Sequence, residues 1–232
     1  MIPAAADVIA SEIIDIGEQT RQVAARYEDV FIALRNTFNK EVASATRPAD
    51  GALAVMAVAD VAASAFLEHL PNQPPRDCRA GCEACCHLYV MTPPGVADAI
   101  GEFLTERLDR AALAELRIGL QETANAAAGL TDPKSLRRRC PLLGADGLCT
   151  IYEVRPPACR AFTSGSVAAC RSLAFESKGA VSSIRQNPSQ YRVFVEATAA
   201  LEQSWRIPGM PSGQVGLAEA LLAVLPETGG DA

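Results

Sequence analysis

Apolar residues recur at helical spacing through the first forty positions: Ile9, Ile13 and Ile16, then Val23, Tyr27, Val30, Phe31, Leu34 and Phe38. The spacing predicts a long amphipathic helix over 7–40, with Gly17 as a local weak point. Its apolar face is expected to pack on the protein's own core, with dimerisation through it as the alternative. Arg47-Pro48-Ala49-Asp50-Gly51 reads as a turn. An apolar run from Gly51 to Leu67 follows, interrupted by Asp60, and predicts a buried helix over 52–70. Pro71 and Pro74-Pro75 end it. The run is short for a bilayer span.

Past residue 75 the periodicity stops. Residues 76–87 are short-range, polar and rich in cysteine. Thr92-Pro93-Pro94 has the form of a helix start, Thr as cap and Pro in the first turn. It predicts helices over 94–108 and 110–128. Residues 131–171 carry Pro133, Pro141, Gly144, Gly147, Pro156 and Pro157, which break any long element. Two more helices are expected, over 189–205 and 216–225, then a loose tail from Pro226. The expected class is all-α: a helical domain with an irregular, metal-organised cysteine-rich region. The chain divides into an N-terminal helical arm (1–75), the cysteine region (76–171) and C-terminal helices (172–232), all within one compact domain.

Composition narrows the function classes. The chain has 232 residues, 49% of them hydrophobic, which supplies a core. Net charge is −6 and aromatics are 5%, which argues against a nucleic-acid binder with its basic face and stacking rings. The first residues, Met1-Ile2-Pro3-Ala4-Ala5-Ala6-Asp7, lack the basic start and apolar stretch of a secretory signal. The expectation is a cytoplasmic protein without a membrane segment. Eight cysteines in a reducing compartment then point to metal or redox chemistry before disulfides.

The first cysteine set is Cys78-x3-Cys82-x2-Cys85-Cys86, followed at once by His87. The second is Cys140, Cys149, Cys159 and Cys170. Close spacing lets successive thiolates turn toward one centre, and all eight are candidate metal ligands. Neighbours such as Cys85 and Cys86 point in different directions, which suits two centres or one polynuclear cluster. His87, Arg155 and Arg160 are candidate neighbours that hydrogen-bond the sulfurs. The windows 76–87 and 134–171 hold nine basic residues and four acidic ones, a balance of +5 in a chain of net −6. Four thiolates on a divalent ion carry about −2, which such arginines would offset. A solvated basic face and an anion-binding surface are the other readings of that charge. Thiolates suit both iron and zinc, so an iron-sulfur cluster, [4Fe–4S] in the first instance, and zinc both stay open.

Cys78-x3-Cys82-x2-Cys85-Cys86 together with Cys140-Pro141-x7-Cys149-x-Ile151-Tyr152-Glu153-x-Arg155-Pro156-x2-Cys159-Arg160, Phe162 and Cys170 resembles the YkgJ-type cysteine-cluster family of zinc- or iron-chelating proteins. The resemblance spans about residues 76–171 and implies a metal-chelating module. It is distantly similar to the cysteine domain of flagellin lysine N-methylase, which implies methyl transfer from S-adenosylmethionine as a possible activity. The first three cysteines also match the spacing of radical S-adenosylmethionine enzymes, with Ala84 where an aromatic is usual.

Three functions are therefore carried forward. One is a metal-chelating module whose helical arms present a surface to a protein partner. The second is an iron-sulfur enzyme, redox or methyl-transferring. The third is a redox-switched or metal-delivery protein. Partners are metal ions and a possible protein, not nucleic acid or membrane.

Overall fold

The computed structural model describes residues 4–176, 184–204 and 213–227. Among them the chain is mostly helical, as the periodicity predicts. The long helices α1 (Ala4–Ser44) and α2 (Pro48–His69) pack on each other, and α7 (Pro188–Ser204) packs on both. α3 (Val96–Arg107) packs on α2 and on α8 (Leu217–Val224), and α4 (Arg110–Ala128) packs on α8. Two short helices, α5 (Pro157–Ala161) and α6 (Val167–Phe175), fall in the region expected to be irregular, α6 running past its end at residue 171. Each follows its own start signal: Pro157 opens α5, and the Ser166 side chain caps α6 by accepting from the Ala169 N–H.

One core joins these helices. Phe31 and Phe38 of α1, Val55 and Met56 of α2, Ile100, Leu120, Val193, Leu201 and Leu221 are all fully buried. Each such side chain contributes about 1.5–3 kcal/mol of transfer free energy. The apolar face of α2 is made of small residues, Gly51, Ala52, Ala59 and Ala63 around Val55 and Met56, so neighbouring backbones approach closely. By length and composition α2 would also suffice to cross a membrane; here that face packs into the core.

The helix starts differ from expectation in two places. Pro48-Ala49-Asp50-Gly51 is the first turn of α2 rather than a turn before it, with Pro48 at its start and the Asp50 carboxylate accepting from Arg47. Thr92 does not cap α3. It lies in a two-residue strand, β1 (Met91–Thr92), antiparallel to β2 (Val215–Gly216), with Met91 opposite Gly216. α3 begins after Gly95, whose φ of +82° is the left-handed region. A Cβ there would stand 2.4 Å from the Pro48 carbonyl oxygen, so only glycine lets α3 start against the head of α2.

α1 departs most from expectation. Its apolar face reaches the core only from Tyr27 onward. Val8, Ile9, Ile13, Ile14, Ile16 and Val23 are between 56% and 67% exposed. The reason is length. α1 has 41 residues, about 60 Å at 1.5 Å per residue, whereas α2 has 22 and α7 has 17. The helices that could cover it stop short. The expected helix over 189–205 is α7, and residue 205, like the tail past residue 227, lies outside the described residues.

Candidate metal centre

The two cysteine segments are tied to each other by backbone hydrogen bonds. The Arg138 N–H donates to the His87 carbonyl at 3.0 Å and the Cys140 N–H to the Cys86 carbonyl at 2.8 Å. Leu88 and Arg137 form an isolated antiparallel bridge. At the other end the Asp77 N–H donates to the Ser164 carbonyl at 2.9 Å. Cys85 and Cys86 sit on a single 3-10 turn, Ala84–His87, which packs on α6 and so faces Cys170. Cys140 precedes a tight loop closed by a bridge between Leu143 and Cys149, and Cys159 is carried on α5.

The eight thiols are all free. They fall into two neighbourhoods. Cys140 and Cys149 pack against the main core. Cys159 is partly exposed as a residue, yet burial is the first cause pushing its thiol up, followed by the charges of Cys140, Cys85 and Cys149. Burial likewise pushes the Cys140 thiol up to about 11, with Cys149 and Cys85 adding to it. Cys85, Cys140, Cys149 and Cys159, drawn from four places in the chain, thus share one electrostatic neighbourhood. Cys170 belongs to a second. It is buried with Ala84 and Ala174 in a small separate cluster. Burial raises its thiol, a Ser164 hydrogen bond lowers it, and the charges of Cys78, Cys82 and Cys85 raise it again. The Ser164 N–H also donates to the Cys78 sulfur at 3.3 Å, so Ser164 touches both ends of this group. Cys86 hydrogen-bonds with Cys85, the largest cause raising the Cys85 thiol, and the Cys85 charge reaches Cys170 as well as Cys140, Cys149 and Cys159, so Cys85 lies between the two groups.

Among the described residues no three His, Cys, Asp or Glu side chains stand close enough to hold an ion where they are. Metal binding at either neighbourhood therefore involves movement of the side chains. The chemistry of the donor set nevertheless fits a thiolate-bound metal. Buried thiols that raise one another by repulsion are stabilised as thiolates by a bound cation. An orphaned donor points the same way. The Arg155 Nε is buried with no hydrogen-bond partner, while its charge lowers Cys85, Cys149 and Cys159. A thiolate-rich centre supplies the acceptor that this donor lacks.

The other two candidate neighbours have different partners. Arg160 is almost fully buried, and each of its three guanidinium nitrogens has a partner: Asp60 of α2, the Arg155 carbonyl at 2.8 Å and the Glu153 carbonyl at 2.6 Å. It fastens the cysteine region to α2 rather than bracketing a cluster. The Asp60 that breaks the apolar run of α2 is the signal in the sequence for that tie. His87 places Nδ1 3.2 Å from the Glu83 carbonyl and its ring edge-on to Phe175 at 4.7 Å. The Glu153 carboxylate pairs with Arg107 at 3.5 Å. Ser164 escaped the sequence reading; its only mark there is its place between Cys159 and Cys170.

Residues 77–177 match the CxxCxxCC family model, described as a "putative zinc- or iron-chelating domain". The match takes in all eight cysteines and agrees with the resemblance read from their spacing. No curated protein and no solved structure matches the chain.

Proposed function

We propose that residues 76–171 are a metal-chelating module that binds an iron-sulfur cluster or zinc through its cysteines. Cys85, Cys140, Cys149 and Cys159 make one thiolate group. Cys78, Cys82 and Cys170 begin a second, for which Cys86, next to Cys85 in the chain, is the fourth candidate ligand. The observation that carries this reading is the backbone pairing of the two cysteine segments, Cys140 to Cys86 and Arg138 to His87, which brings Cys85, Cys140, Cys149 and Cys159 within reach of one another's charge. The family description, zinc or iron, is consistent with it. When bound, such a metal neutralises the thiolates and cross-links loops that have little core of their own. Arg155 holds its Nε toward the resulting negative charge. A reducing compartment, the cytoplasm, keeps all eight thiols available for it.

Metal and acid-labile sulfide content of protein purified without oxygen, with a visible spectrum, tests the reading. About four irons with matching sulfide indicate a [4Fe–4S] cluster. About two zincs without sulfide or colour indicate two four-thiolate structural sites. Protein that holds neither metal, and takes up neither when reconstituted, refutes the module.

A further inference from the structure

We infer that the exposed half of α1 pairs with α1 of a second copy of this chain, antiparallel, as a two-helix coiled coil. Along α1 the seam positions alternate by four and three residues: Ile9, Ile13, Ile16, Thr20, Val23, Tyr27, Val30 and Leu34. That is a 3.5-residue repeat, the period of a supercoiled helix pair, not only of a helix lying on a globular core. The seam is continuous with the core. Tyr27 and Leu34 pack on it, whereas Ile9, Ile13, Ile16 and Val23 face solvent. An isolated helical arm of this length is marginal in water, because most helix stability in proteins comes from covering the apolar face. The arm also carries a glycine at its middle, Gly17. What supports it must therefore lie on the seam.

The sequence of the arm is complementary to its own reverse. With the two-fold axis near Glu18, Ile13 meets Val23 of the second copy and Ile16 meets Thr20; the pairing ends before Tyr27, whose ring rests on Phe31 and Phe66 of its own core. On one flank of the seam Glu12 then faces Arg26 of the second copy, and by symmetry Arg26 faces its Glu12. Among the described residues the ion pairs of α1 use Glu18 with Arg21, Arg35 with Glu196 and Glu28 with Arg192, and none of these takes up Glu12 or Arg26. On the other flank the residues are small: Ala10 faces Ala24, and Gly17 faces Gly17. The helices can approach closely there. A parallel pair would set Glu12 against Gly17 and Arg26 against Phe31, with no charge partner for either, so the pattern selects the antiparallel pair. Gly17, costly in a lone helix, is then explained as the point of closest approach.

Sedimentation equilibrium of the full chain over a range of concentrations reads the association directly. A dimer is expected, and Ile16→Glu, at the centre of the seam, is expected to weaken it by more than about 100-fold. Metal content should be unchanged, since α1 packs on α2 and α7. Glu12→Arg and Arg26→Glu are each expected to weaken the dimer about tenfold, and the double variant to restore it. A chain that stays monomeric at high concentration overturns the inference, as does a dimer insensitive to Ile16→Glu. A dimer that both single swaps weaken, but that the double swap leaves weak, overturns the antiparallel register. Circular dichroism of each variant separates loss of pairing from loss of the body's fold.

Discussion

The helical frame and the cysteine region are held by different forces. The frame buries Phe31, Phe38, Met56, Ile100, Leu120 and Leu201 in one continuous core. The cysteine region is itself divided. Its middle, through Leu142, Ile151, Val154 and Ala161, reaches into that same core, and the Arg160–Asp60 pair fastens it to α2. Among the described residues its two ends, around Cys78 to Cys86 and Cys170, rest on a small cluster of Ala84, Cys170 and Ala174, flanked by Leu88, Phe162 and Ile184. Three small buried residues cannot order some twenty residues against their conformational entropy. On the proposed reading, metal would hold shape at the ends of the region more than through its middle.

Metal removal is the largest break in that comparison. Hydrogen exchange on the holo protein and after complete chelation should show protection lost from the backbone of residues 77–88 and 163–175. Residues 142–161 should lose less, and α2 and α7 should hardly change, because binding free energy at a thiolate site is folding free energy for the segments it ties. Uniform loss of protection across the frame would mean that the core depends on the metal too. No change anywhere would mean that the cysteine region is held without it.

Arg160→Met probes the other anchor, and a smaller effect is expected. The substitution leaves the Arg155 and Glu153 carbonyls and the Asp60 carboxylate without their donor. Breaking a buried ion pair costs about 3–5 kcal/mol. The Asp60 side chain is 46% exposed, so the lower end, about 3 kcal/mol, is expected from the urea midpoint. Metal content should survive, since Arg160 is bonded toward α2. Loss of metal at unchanged stability would instead return Arg160 to the neighbourhood of the sulfurs.

The ease with which these regions could be read from sequence follows the same division. The sequence pattern located α1 by its helical spacing, α2 by its apolar run and α3 by the Thr-Pro-Pro form, and α4, α7 and α8 lie where helices are expected. It missed α5 and α6, which are too short to show a period and are set by Pro157 and the Ser166 cap. It placed Thr92 at a helix start because Thr-Pro-Pro has that form; pairing of β1 with a strand more than a hundred residues away has no local signal. The cysteine spacing announced the metal region, yet sorting Cys85 with Cys140, Cys149 and Cys159 needed the fold. Arg160 was conspicuous beside Cys159 but serves Asp60, a partner 100 residues earlier. The exposure of the first half of α1 depends on the lengths of α2 and α7, which its own pattern does not carry.

The smallest expected effect lies on the frame, where α1 is clasped to α7 at the edge of the core. Arg35 donates twice to Glu196 at 2.8 Å, and Arg192 donates to both oxygens of Glu28 at 2.6 and 2.5 Å. The Arg35 hydrogen bond holds the Glu196 carboxyl below its ordinary value, and the Arg192 hydrogen bond does the same for Glu28. A carboxylate whose folded pKa lies below its unfolded one contributes stability above the unfolded value, about 4.5, and that contribution is lost as pH falls through the folded value. The urea midpoint should therefore be flat from pH 7 to about 5 on account of these two groups, then fall. The Glu28→Gln, Glu196→Gln double variant should start lower at pH 7 and fall less steeply below pH 5. Both pairs are partly solvated, so the difference is small beside that of Arg160→Met. Below pH 5 protons also compete with metal for the thiolates, so the meaningful quantity is the difference between the two proteins at each pH. Parallel curves would show that the clasp contributes nothing, and that the α1–α7 junction rests on its apolar contacts and the Tyr27–Ser189 hydrogen bond.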